Sequence, residues 1–161
     1  MKSGRPEPSS RERAYQSALR LLNARDYTVA RLREKLHNRG FDEAHVEAAL
    51  GQLVSEGWLN DLRFAERFAE SALNSGRYFG PRLRLEMRRR GLPAELVSGV
   101  LGRILEEHDE AEEVRAIIER RFSGFSFSCA SDKEKRRAVG FLQRKGFSLS
   151  TIMNALRAAG K

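Results

Sequence analysis

The chain contains a single cysteine, Cys129, among 161 residues. An intrachain disulfide is therefore impossible, as is any zinc site built from several thiolates, and a reducing compartment, the cytoplasm, is expected. No stretch approaches the roughly 18 consecutive apolar residues of a membrane span, and the polar opening Met1–Arg13 lacks the apolar core of a signal peptide. A soluble, unexported protein without a membrane partner is expected. Histidine is also scarce: His37, His45 and His108 stand in no context resembling a nucleophile, a metal site or an acid–base pair. The acidic pairs Glu106–Glu107 and Glu112–Glu113 flank helix starts or lie on solvated faces, where carboxylates are common. The turn Gly76-Arg77-Tyr78-Phe79-Gly80-Pro81 has neither the lysine nor the hydroxyl residue of a phosphate-cradling loop. The expectation is a binding module, not an enzyme, with no metal and no cofactor.

What the chain does have is positive charge. Thirty lysines and arginines stand against 22 acidic residues, a net charge of +8, which points to an anionic partner or an acidic protein surface, nucleic acid first. The excess is uneven: residues 14–59 carry six basic and six acidic side chains, residues 60–107 nine and seven, and residues 130–161 eight and two. The opening, with Pro6, Pro8, Ser9 and Ser10, reads as a disordered basic arm over residues 1–13, more a passive tail than a contact for Lys2, Arg5, Arg11 and Arg13.

A glycine followed by a large apolar residue recurs as Gly40-Phe41, Gly91-Leu92 and Gly146-Phe147, at spacings of 51 and 55 residues. Four residues before each glycine stand Leu36, Met87 and Leu142, and eight before stand Leu32, Leu83 and Ala138, one face of a helix. Each glycine thus reads as the left-handed residue closing a helix, with the next apolar side chain packed back: Phe41 on Leu36, Leu92 on Met87, Phe147 on Leu142. A second helix should follow, with Asp42 or Ser148 as its cap and Pro93 in a first turn. Its inward positions align in all three copies: Val46, Val97 and Ile152; Ala49, Val100 and Ala155; Leu50, Leu101 and Leu156. Tyr27 and Tyr78 both precede their glycine by thirteen residues, Tyr27, Thr28 and Leu32 fitting a hydrophobic staple. Ser131 and Glu134 match a capping box, which starts the third middle helix about a turn early.

Each copy opens with a further amphipathic segment: Ala14, Ala18, Leu19 and Leu22; Phe64, Ala65, Phe68, Ala69 and Leu73; Val114, Ile117, Ile118 and Phe122. The fold expected is all-α, three tandem three-helix repeats in an elongated array open to curvature. The repeats would cover 14–59, 60–107 and 108–161, with a loop at about 123–130 in the last. Trp58 reads as core where the first repeat passes into the second, and Asp61 as the cap of the helix carrying Phe64 and Phe68.

The strongest patch is Arg77–Leu92, where Arg77, Arg82, Arg84, Arg88, Arg89 and Arg90 oppose Glu86 alone. At about 100° per residue, with Leu83 and Met87 inward, Leu85 points nearly outward between arginines, which suggests a contact surface. In the third repeat Lys133, Lys135, Arg136, Arg137, Arg144 and Lys145 occupy the equivalent helix, and stacking would align both into one basic stripe. Phe125 and Phe127 stand near it; packing between repeats is favoured over base stacking.

Leu21-Leu22, Leu32 and Leu36 before Gly40-Phe41, then Gly57-Trp58-Leu59-Asn60-Asp61 with Arg63-Phe64-Ala65, then Gly80-Pro81-Arg82-Leu83 before Arg88-Arg89-Arg90-Gly91-Leu92, together resemble the RecX family of recombination regulators over residues 14–160. The chain departs from the family pattern at Asn60, where an acidic residue is common, and at Ala138, where a larger aliphatic one is. The resemblance implies a bacterial cytoplasmic modulator of the RecA recombinase that lies in the groove of the RecA filament on single-stranded DNA and inhibits ATPase and strand exchange. The expected partners are then the RecA filament and single-stranded DNA, with duplex DNA as a further candidate, and the expected state is a monomer. Two other readings stay open: a helix-turn-helix-like DNA-binding regulator acting without RecA, and a structural scaffold.

Overall fold

The computed structural model describes residues 10–160. Among them there are nine helices and no strand: α1 (Ser10–Ala24), α2 (Val29–Asn38), α3 (Glu43–Ser55), α4 (Asp61–Asn74), α5 (Gly80–Arg89), α6 (Ala94–Leu105), α7 (Glu110–Arg121), α8 (Asp132–Lys145) and α9 (Leu149–Ala158). The basic arm is corrected at its end. Residues 1–9 lie outside the described residues, but Ser10–Arg13 are the first turn of α1. Glu12 complements the positive end of the helix there, and Ala14, Ser17 and Ala18 make a buried face that carries the helix upstream.

Packing gathers the described residues into two compact units, one of residues 10–64 with Arg90–Leu92, the other of Ala65–Arg89 with residues 93–160. In the first unit α1 packs on α2 and α3, and α2 on α3. Its core holds Ala18, Leu32, Leu36, Val46, Leu50, Leu53 and Leu59, with Phe41 packed against it. Fully burying one such leucine contributes about 1.5–3 kcal/mol, so a few aligned positions suffice to order three short helices. In the second unit α5 packs on α6, α7 and α8 on α9, and α5 meets α8.

The aligned registers are those of the sequence. Leu32, Leu83 and Ala138, Leu36, Met87 and Leu142, and all nine inward positions of the following helices are buried. Gly40, Gly91 and Gly146 have φ of +86°, +83° and +107°, and the Phe41 and Phe147 N–H groups donate back to Leu36 and Leu142 carbonyls. Ser131 and Glu134 form the reciprocal capping box, which holds the Glu134 carboxyl below the usual carboxylate range through the Ser131 N–H and hydroxyl. Pro93 stands one place earlier than expected, as the cap of α6.

Two expectations near the first repeat's end are overturned. Trp58 is 61% exposed, while Leu59 is 1% exposed. Gly57, at φ +79°, reverses the chain so that the N–H groups of both Trp58 and Leu59 converge on the Leu53 carbonyl, and Leu59 enters the core. Asn60, not Asp61, caps α4: its Oδ1 accepts the Arg63 N–H at 2.9 Å. Asp61 instead accepts the Val29 N–H at 2.9 Å, satisfying an orphan donor at the start of α2.

A contact of one kind occurs once in each unit. In the first, the Thr28 hydroxyl accepts the Arg31 N–H at 3.2 Å and donates to the Arg90 carbonyl at 2.5 Å, and a Cβ on the neighbouring Gly91 would lie 2.5 Å from the Ala30 Cβ. In the second, the Phe79 N–H donates to the Lys145 carbonyl at 2.8 Å, and a Cβ on Gly146 would lie 2.0 Å from the Phe79 carbonyl oxygen. Thr28 and Phe79 both stand twelve residues before a glycine, Gly40 and Gly91 respectively. Phe79 is buried and stacks on Phe147 with ring centroids 4.9 Å apart, while Tyr78 is half-buried against Phe68. Phe79 therefore holds the place the tyrosine spacing assigned to Tyr78.

Candidate functional site

The basic side chains of α5 divide by what they touch. Glu86, buried beside Leu83 and Met87, bonds Arg82 at 2.8 Å and Arg89 at 3.1 Å. The Arg82 guanidinium also sits 5.7 Å from the Tyr78 ring centroid, and its Nε is buried without a hydrogen-bond partner. Arg82 is thus largely committed to holding α5 in place. Arg84 donates to the Ser98 hydroxyl at 2.7 Å. Leu85 is 43% exposed, as its outward register requires, with Arg84, Arg88 and Arg89 exposed around it. Arg77 is exposed on the lead-in, whereas Arg90 clusters with the first unit.

On α8, Lys133, Arg136, Arg137 and Arg144 are exposed. Lys135 lies over the Phe127 ring, 4.5 Å from its centroid, so one of the two loop phenylalanines carries a cation. Lys145 donates to the Gly76 carbonyl at 2.8 Å and lies 4.9 Å from the Phe141 centroid. Burial pushes its pKa below the usual lysine value, and the charges of Arg120, Arg121 and Arg77 push the same way. The lead-in to α5 and the end of α8 are thereby joined in one unit, and four cations crowd at the join.

Arg120 and Arg121 were missed by sequence reasoning. They end α7, whose first turn holds Glu110, Glu112 and Glu113, so the segment as a whole reads as acidic. The change of sign along one helix was the available signal. Arg121 lies 5.0 Å from the Phe141 centroid, and Phe122 meets the same ring edge-on at 5.5 Å. Arg120, Arg121, Phe122, Arg137, Phe141 and Arg144 line an open cleft of about 660 Å³. Glu134 also lines it and is engaged by Ser131. Among the described residues no cluster of histidine, cysteine and carboxylates is arranged to hold a metal, and no helix is long and apolar enough to cross a membrane.

Comparison with known proteins places this geometry. Family models for the first, second and third three-helix domains of RecX match residues 14–53, 60–101 and 108–156. The chain is 42% identical to regulatory protein RecX of Trichlorobacter lovleyi over 150 residues, 93% of this chain and 96% of that one. It is 40% identical to regulatory protein RecX of Thermus thermophilus over 143 residues, 88% of this chain and 89% of that one. Its fold matches the crystal structure of RecX from Lactobacillus salivarius with a TM-score of 0.71 at 18% identity, over 92% of this chain and 96% of that one.

Proposed function

The chain belongs to the RecX family of regulatory proteins, and from that premise we propose that it regulates the RecA recombinase, binding the RecA filament on single-stranded DNA and inhibiting its ATPase and strand exchange. It does so as a monomer in the cytoplasm, without catalysis of its own, through three repeats covering 14–59, 60–107 and 108–161. The interface is drawn from Arg77, Arg82, Arg84, Leu85, Arg88, Arg89 and Arg90 on one side and Lys133, Lys135, Arg136, Arg137, Arg144 and Lys145 on the other.

The observation that supports this reading most is the joining of the two basic helices inside one unit. The Phe79–Lys145 hydrogen bond brings the lead-in to α5 against the end of α8, so their charges act on a partner together rather than as two separate patches. A polyanionic filament is attracted to such a surface in proportion to the charges it meets at once. Leu85 adds an apolar contact that a purely electrostatic surface lacks.

The test reverses Arg84, Arg88 and Arg89 to glutamate, checks helicity by circular dichroism, and measures RecA's DNA-dependent ATPase with the added protein. Inhibition should fall by about tenfold or more in the protein concentration required. Undiminished inhibition by a folded variant would exclude that face of α5. Sequence-selective duplex binding in the absence of RecA would favour the DNA-binding regulator instead.

A further inference from the structure

The cleft at the end of α7 carries a problem that its own chain does not solve. Arg120, Arg121, Arg137 and Arg144 converge on it, and among the described residues none of the four has a carboxylate partner. Burial depresses the pKa of the neighbouring Lys145, and the charges of Arg120 and Arg121 push it the same way. Arg121 sits over the Phe141 ring, 5.0 Å from its centroid, and a guanidinium held on a ring face still has N–H groups to offer an oxyanion.

The turn at 122–125 forms one wall of this cleft and also one wall of a second cavity, of about 480 Å³. That second cavity is of different character: Ile118, Phe122, Phe125, Ala155, Ala158 and Ala159 supply half of its lining, and Arg115 and Glu119 are its only charged residues. A basic cleft and an apolar cavity thus stand on the two sides of one short turn. This is the pairing a nucleotide presents, charge on its phosphate and a flat apolar face on its base.

We propose that the two cavities together bind single-stranded DNA directly, phosphates lying against Arg120, Arg121, Arg137 and Arg144, and an unpaired base entering the apolar cavity beside Phe125. The site deepens the filament reading by naming which part meets the strand, and rests on it only for the source of that strand. A duplex is disfavoured because its bases are already stacked and paired.

The experiment uses the full chain and a fluorescein-labelled oligo-dT, with binding followed by anisotropy across a salt series and without RecA. Arg121→Glu combined with Arg144→Glu should weaken binding by about tenfold or more, and make the logarithmic salt dependence shallower by about 1.4, the value for two lost single-strand phosphate contacts. Phe125→Leu keeps the cavity apolar and should weaken oligo-dT by about fivefold or more through lost stacking, while leaving binding of an abasic oligomer unchanged. Circular dichroism verifies both variants, and Phe125→Leu keeps the test alive if the double reversal fails to fold. Equal affinity for oligo-dT and the abasic oligomer, equal affinity for an oligoglutamate peptide, or saturation by inorganic phosphate that oligo-dT cannot displace would each overturn the proposal. RecA ATPase measured on the same variants separates the two readings: lost oligo-dT binding with intact inhibition upholds this site and moves inhibition elsewhere.

Discussion

The contact at Gly91 in the first unit and the contact at Gly146 in the second are built to one plan from different materials. In the first, a threonine hydroxyl reaches a carbonyl and the glycine faces a methyl group. In the second, a backbone N–H does the reaching and the glycine faces a backbone oxygen. The difference teaches which contact has slack. A methyl group can be trimmed by mutation, whereas a backbone oxygen cannot be removed.

Substitutions can break this pair in order of severity. Gly146→Ala should cost the most, about 3 kcal/mol or more in chemical denaturation, because left-handed strain adds to overlap with the Phe79 carbonyl and Arg82. A midpoint close to wild type would show that α5 and α8 separate freely. Gly91→Ala should cost less, about 2 kcal/mol, because the clash is with Ala30. Adding Ala30→Gly should return part of that loss, and a strictly additive double mutant would remove the steric explanation. Gly40→Ala should cost about 1 kcal/mol, the left-handed strain alone, since nothing described lies within 4 Å of its Cβ position.

The smallest effect concerns pH and sharpens the contrast in charge. Lys145 has a lowered pKa in the folded state, so folding works against its protonated form at neutral pH. That penalty fades as pH rises through the lowered value toward the unfolded one near 10.4, and stability should rise over that window. In Lys145→Met the rise should disappear. Parallel stability profiles for the two proteins would mean that the crowding at this contact is screened.

Much of the fold was legible because it follows from local rules. A glycine closing an amphipathic helix, and apolar residues at fixed offsets on both sides, define a left-handed cap and two buried faces without knowledge of neighbours. The capping box at Ser131 is equally local. Other features depend on competition between adjacent residues. Trp58 was the residue read as core, and the turn at Gly57 admits Leu59 in its place. Asn60 and Asp61 both suit a helix start, and Val29 decided by engaging Asp61 from far along the chain. The candidate basic surface was legible on α5 and α8, where charge accumulates along one helix. It was hidden on α7, where acidic residues at one end cancel Arg120 and Arg121 at the other until the helix is placed in space.

A contact that joins the carbonyl before one glycine to the residue twelve places before the preceding glycine is head-to-tail, and such contacts have no intrinsic last member. Counted the same way from Gly146, the residue reached is Glu134, which lies inside α8 because that helix starts early, at its Ser131 cap. Its N–H is already held by the Ser131 hydroxyl, and its side chain is an acceptor rather than a donor. The capping box therefore leaves Glu134 no donor for a contact of the Gly91 and Gly146 kind. A contact of this kind thus depends on what a helix start leaves uncommitted, the Thr28 hydroxyl hydrogen in one case and the Phe79 N–H in the other.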